Sequence, residues 1–192
     1  MHTAAFIVAA IAFGINNMLL FQRCSEAVKP RLSHGLAVAL ATTAIQTLLF
    51  IIGMYVGDLL HFEMPDNHES LSQSNALVML GLTVFVTLRQ LMPYLRREPR
   101  LPLFDIGTWK PVGAMGVATG INLLLVGIGC GFVTPPTTSL HKALWPMLVV
   151  LFIFAYWGVM LGRQKVSIRP RRWAIVAAIL LLGVAIGTMV DA

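Results

Sequence analysis

What this sequence has least of is charge. Only 11% of its 192 residues are Asp, Glu, Lys or Arg, against 57% hydrophobic, and the mean hydropathy is +0.80. A soluble domain carries about 25% charged residues because water must wet its surface. Lipid must therefore replace water around most of this chain. Cysteine is also scarce, with only Cys24 and Cys130. Two cysteines cannot build a disulfide framework, and no CxxC-type spacing prepares a metal site. An iron–sulfur cluster needs four thiolates, twice what the chain supplies. Both read instead as small apolar residues. There is no Ser-His-Asp set, glycine-rich phosphate loop or HExxH motif, which argues against an enzyme. Hydrolytic chemistry would have to be assembled from His61, Glu63, His68 and Glu69, whose segment more simply stays in water.

Six apolar runs are there in place of charge: Thr3–Gln22, Leu36–Gly57, Ala76–Leu95, Val112–Val133, Ala143–Gly162 and Trp173–Val190. Each approaches the roughly 20 helical residues that cross a hydrocarbon core about 30 Å thick. Only helices keep every backbone polar group paired in lipid without a closed barrel. The expected fold is therefore all-α, a polytopic membrane protein of six transmembrane helices. The opening MHTAAFIVAA has no Lys or Arg before its apolar run and no small-residue cleavage site, so it reads as a retained first helix.

The connecting segments alternate in sign. The first carries Arg23, Lys29 and Arg31 against Glu26, and the second Asp58, Glu63, Asp66 and Glu69. The third has Arg96, Arg97, Arg100 and Lys110 against Glu98 and Asp105. The fourth has Lys142, and the fifth Arg163, Lys165, Arg169, Arg171 and Arg172 with no acid. Basic loops stay in the cytoplasm, so loops one, three and five are expected inside and both termini outside. The net charge of +6 thus reads as an orientation signal, not a nucleic-acid face.

An internal repeat accompanies this pattern. Gly14-Ile15-Asn16 recurs as Gly120-Ile121-Asn122, and Cys24 and Cys130 follow the two asparagines at equal distance. Gly53 and Gly57 are echoed by Gly158 and Gly162. Three helices per unit make the two copies opposite in orientation: repeat one over 1–98, repeat two over 110–192, and a linking cytoplasmic loop over 96–111. Such inverted repeats mark transporters whose site lies near the midplane. The GxxxG spacings read first as close-packing surfaces.

No acid falls inside any span, yet amides and hydroxyls do: Asn16 and Asn17, Thr42, Thr43, Gln46 and Thr47, Thr119 and Asn122. An amide in hydrocarbon costs several kcal/mol without a partner, so these side chains must face the protein interior or a wet cavity. Asn16, Asn17, Gln46, Thr119 and Asn122 are the candidate substrate-binding residues. Arg89, near the end of the third span, is expected to snorkel toward the interface. Without a buried carboxylate or histidine, the chain lacks the usual apparatus for proton coupling.

At these residues the chain resembles the manganese efflux pump (MntP) family of the lysine-exporter superfamily. The resemblance rests on Ile15-Asn16-Asn17 through Cys24, on Lys29-Pro30-Arg31-Leu32-Ser33, and on Ala44-Ile45-Gln46-Thr47-Leu48 with Ile52-Gly53 and Gly57. It continues in Leu88-Arg89-Gln90-Leu91-Met92, in Ala118-Thr119-Gly120-Ile121-Asn122, in Val126-Gly127-Ile128-Gly129 and in Gly162-Arg163. It implies a six-helix exporter of the bacterial inner membrane, with manganese as possible substrate and no resident cofactor. It also implies Asn16, Gln46 and Asn122 as the metal-facing positions, where the family has Asp, Glu and Asp. Each amide keeps the shape and the oxygen of the acid but removes a negative charge that a divalent cation needs. The expected function is a membrane transporter of a cation or small solute, in contact with lipid and able to form a homo-oligomer. The alternative is a non-transporting membrane subunit that binds a partner protein.

Overall fold

A computed structural model describes residues 3–60, 68–95, 103–166 and 168–190, which form six helices with no strand among them. They are α1 (Thr3–Val28), α2 (Leu32–Leu60), α3 (His68–Leu95), α4 (Trp109–Val133), α5 (Pro136–Arg163) and α6 (Pro170–Val190). Each contains a stretch long and apolar enough to cross a membrane. The chain is an integral membrane protein.

All six helices extend beyond the spans expected from hydropathy. α1 continues to Val28, α2 begins at Leu32, α3 at His68, α4 at Trp109, α5 at Pro136 and α6 at Pro170. Hydropathy marks only the lipid core, whereas helical hydrogen bonding persists until a backbone signal stops it. α1 stops at Lys29, whose φ is 50°, with Pro30 following. α5 ends in a Schellman turn: Lys165 N donates to Gly162 O and Val166 N to Leu161 O, both at 3.1 Å, with Lys165 at φ 53°. Pro136 and Pro170 stand where helices begin, and there a missing N–H costs nothing. The acidic stretch 61–67 and Arg96, Arg97 and Arg100 lie outside the described residues.

The glycines decide how closely the helices approach. A methyl group on Gly53 would overlap the carbonyl oxygen of Leu124, and one on Gly57 that of Ile128. Reciprocally, Gly127 lies against Phe50 O and Gly131 against Met54 O. α2 and α4 thus meet backbone to backbone along two interleaved GxxxG faces. α5 meets α1 in the same manner, with Gly158 on Met18 O and Gly162 on Gln22 O and Ser25. Met18, Gln22 and Ser25 each precede Leu124, Ile128 and Gly131 by 106 positions. The principal helix pairs are α2–α4, α1–α5, α3–α6, α3–α4, α2–α5 and α1–α6. Exchanging α1 with α4, α2 with α5 and α3 with α6 returns the same set.

α1 is the most enclosed helix, burying Phe6, Phe13, Met18 and Phe21 among its neighbours. Large apolar side chains point outward instead on α2 (Leu48, Ile52, Tyr55), α3 (Phe85, Leu88, Met92) and α5 (Trp145, Val149, Ile153, Trp157). This is the surface that acyl chains solvate. Cys24 and Cys130 are both buried and free, and they belong to different clusters of the core.

Candidate functional site: an amide-lined cavity

α1, α3 and α4 enclose a cavity of about 250 Å³ lined by Asn16, Asn17, Arg89, Gln90, Thr119 and Asn122 among apolar neighbours. Asn16 and Asn122 each lie thirteen residues into their helices, about 20 Å along the axis and so near mid-membrane. From there the cavity extends past Pro93 and Tyr94 toward Phe104 in the α3–α4 connection. That end of the bundle also holds the other odd-numbered loops. His34 meets Ile106 O at 2.8 Å and stands edge-on to Trp109, while Gln22 Nε2 donates to Val166 O at 2.7 Å.

Gln46 takes a different place from the one expected: it stands behind the wall of the cavity. Asn17 Nδ2 donates to Gln46 Oε1 at 2.7 Å, and Gln46 Nε2 donates back to Asn17 Oδ1 at 2.9 Å. The same Nε2 also donates to Thr119 Oγ1 at 2.6 Å, and the Thr119 hydroxyl in turn donates to Met115 O at 2.7 Å. Every heavy polar atom of Gln46 is therefore satisfied, in a side chain wholly withdrawn from solvent. The bonds tie α1, α2 and α4 together at one level. Replacing Gln46 with leucine strands the buried amide of Asn17. It is expected to cost roughly 1–3 kcal/mol of stability, seen as a lower unfolding temperature in detergent; an unchanged temperature would show the network to be energetically idle.

Asn16 points to a second partner, donating to Gln90 Oε1 on α3. Its adjacent position on the helix, about 100° from Asn17, explains why the two asparagines serve different contacts. Asn122 lines the cavity from α4, and its Oδ1 is buried with no hydrogen-bond partner among the described residues. The five candidate positions thus come together, but as two layers: Asn16, Asn17, Thr119 and Asn122 on the cavity, Gln46 bracing them.

Arg89 and Gln90 line the cavity as well, so Arg89 does more than the expected reach toward the interface. The signal for both was present in the sequence, since a polar residue in an apolar run needs a reason to be there. The deciding fact is which face of α3 meets α1 and α4, and that comes from packing. Pro93 adds a local effect: it cannot donate to the carbonyl of Arg89, so the helix loses one rung beside the cavity.

The amide network has no copy at the positions offset by 105 or 106. Where one set has Asn17, Gln46 and Thr119, the other has Leu123, Leu151 and Phe13, all buried in the apolar core. Only Asn16 and Asn122 recur. The two halves of the bundle therefore differ in polarity at the centre. Among the described residues, no three His, Cys, Asp or Glu side chains come together as a metal site.

Comparison with known proteins agrees with this architecture. The family model described as "Putative manganese efflux pump" matches residues 29–189. A relative named "Putative manganese efflux pump MntP", from Pseudomonas fluorescens, is 25% identical over 159 residues, covering 82% of this chain and 79% of its own. No solved structure matches the chain. With its second to fifth helices and all but the last residue of the sixth inside the matched region, this chain is a membrane transporter that belongs to the MntP family.

Proposed function

We propose that this protein exports a solute from the cytoplasm through the amide-lined cavity. The observation that carries the reading is the convergence of polar side chains from three helices at mid-membrane, inside an otherwise apolar bundle. Each buried amide costs several kcal/mol unless partnered, and a chain under no demand for transport would fill the space with leucine. The cavity reaches toward the end of the bundle that carries the basic loops. By the positive-inside rule that end is cytoplasmic, in a bacterial inner membrane with both termini outside. The cavity then faces the compartment from which an exporter loads.

The two glycine-locked pairs suggest how access alternates. α2–α4 and α1–α5 each pack too closely to slide internally, so each moves as a unit. The paired Asn17–Gln46 bonds cross from one unit to the other and are the contacts that rocking would break, while Gln46–Thr119 stays within the α2–α4 unit. The symmetric exchange of helix pairs supports reading residues 1–98 and 110–192 as inverted copies of one three-helix element, the usual basis of such rocking. The relative's name refers to manganese. A divalent cation in this cavity would meet the oxygens of Asn16 and Asn122, with Gln46 behind them and, among the described residues, no carboxylate in the lining to balance its charge.

The test is flux into proteoliposomes holding the purified full chain, with manganese, monovalent cations and small organic solutes offered in turn. Asn122→Leu, which fills the cavity without adding charge, is expected to lower the flux of the transported solute at least about tenfold, equivalent to 1.4 kcal/mol. If no solute moves faster than into empty vesicles, the transport reading is wrong.

A further inference from the structure

The electrostatics of the cavity name a class of substrate. Among the described residues Arg89 is the one charged side chain of its lining, and none is acidic. No ion pair to Arg89 exists among the described residues. A hard dication gives up its water only for several oxygens, usually including carboxylates, and here it would meet neutral amides and a like charge. A carboxylate finds the opposite: a planar guanidinium fork that matches its two oxygens. The remaining unmet demand is for a donor. Asn122 Oδ1 is buried without a partner, while the Asn17 amide is already held by Gln46 and Asn16 donates to Gln90. A ligand complementary to this lining carries a carboxylate at one end and an O–H or N–H close by.

We propose that the cavity binds a small carboxylate bearing a hydroxyl or ammonium group on the adjacent carbon, with Arg89 holding the carboxylate and Asn122 accepting the donor. Gln90, fixed by Asn16, keeps the α3 wall in register beside the guanidinium. A volume of about 250 Å³ admits such a solute, and the apolar remainder of the wall, including Phe13, Leu20 and Leu123, limits its polarity. Lactate and alanine represent the two chemical forms, and acetate lacks the donor.

The inference rests on the cavity being the transport site, and the experiment separates the two. Binding of lactate, alanine, acetate and manganese to the purified chain is measured by calorimetry, and flux of each in proteoliposomes. The expected result is that lactate or alanine binds and moves, the preferred one naming the donor, and acetate binds at least about tenfold more weakly. Arg89→Gln is expected to weaken the preferred ligand roughly 10- to 100-fold, the worth of a charged hydrogen-bonded pair. Arg89→Lys keeps the charge but loses the fork and is expected to fall between; it carries the test if the glutamine variant does not fold. Manganese flux with no carboxylate binding, or carboxylate affinity unchanged in either variant, would overturn the inference and leave the transport reading intact. Absence of flux for every solute removes the transport reading as well.

Discussion

Gly57→Ala is expected to cost about 3 kcal/mol or more, enough to lower the unfolding temperature in detergent by roughly 10 °C or to abolish monodisperse protein. The reason is geometric. The added methyl carbon lands on the carbonyl oxygen of Ile128 and lies 3.0 Å from the Cα of Gly131, so the obstacle is backbone on both counts. A clashing side chain could rotate away, but two helices must move apart. Overpacking a well-filled interior usually costs about 1–3 kcal/mol, and separating α2 from α4 also opens the interface around Gly53 and Gly127. Gly183→Ala and Gly187→Ala are the controls, since a methyl at either position meets nothing within 4 Å. There the higher helix propensity of alanine, about 1 kcal/mol in a solvated helix, leaves stability unchanged or slightly raised. If Gly57→Ala melts with the wild type, the close α2–α4 packing is refuted, and with it the rigid unit on which the rocking motion depends.

Restoring charge to the cavity produces the other large effect. The double variant Asn16→Asp, Asn122→Asp is expected to bind manganese at least about 100-fold more tightly than the wild type. A dication attracts one carboxylate at 4 Å by roughly 8 kcal/mol at an effective dielectric of 20. Most of that is consumed in stripping water from both ions. A net gain of about 1.4 kcal/mol for each acid already gives the hundredfold change. Both residues line the same cavity, Asn16 from α1 and Asn122 from α4, and one ion is expected to be shared between them. Arg89 opposes the gain, and adding Arg89→Gln to the double variant should increase manganese affinity further. Calorimetric titration of the purified proteins reads the effect. Equal affinity in wild type and variant would mean that Asn16 and Asn122 do not share a site.

The α2–α4 packing was half visible: Gly53 and Gly57 stand at GxxxG spacing, which allows close approach by some neighbour. Which neighbour receives them is not written at those positions, because every helix here has apolar residues on most of its surface. Gly127 and Gly131 supply the receiving face. The site was legible as a set and not as an arrangement. Polar residues in apolar spans had to turn inward, which brought Asn16, Asn17, Gln46, Thr119 and Asn122 into view together. That Gln46 braces while Asn16 turns to Gln90 depends on helix rotation, to which an amide is indifferent so long as some partner is found. Arg89 was read from its nearness to the span end, which predicts reach toward water equally well whether the side chain meets lipid headgroups or a cavity.

The sequence by itself determined that this chain lives in lipid, that it crosses six times as helices, and that its few intramembrane polar groups are neutral except for one arginine. Those conclusions follow from the cost of exposing backbone and polar atoms to hydrocarbon, a cost each residue bears locally. Only the tertiary structure decided that α2 locks to α4 and α1 to α5, that the amides divide into a brace and a lining, and that Arg89 lines the same cavity as Asn122. Contacts between residues tens of positions apart depend on how six nearly uniform apolar surfaces fit one another, and that fit is set by the glycine-to-backbone approaches that the folded bundle creates.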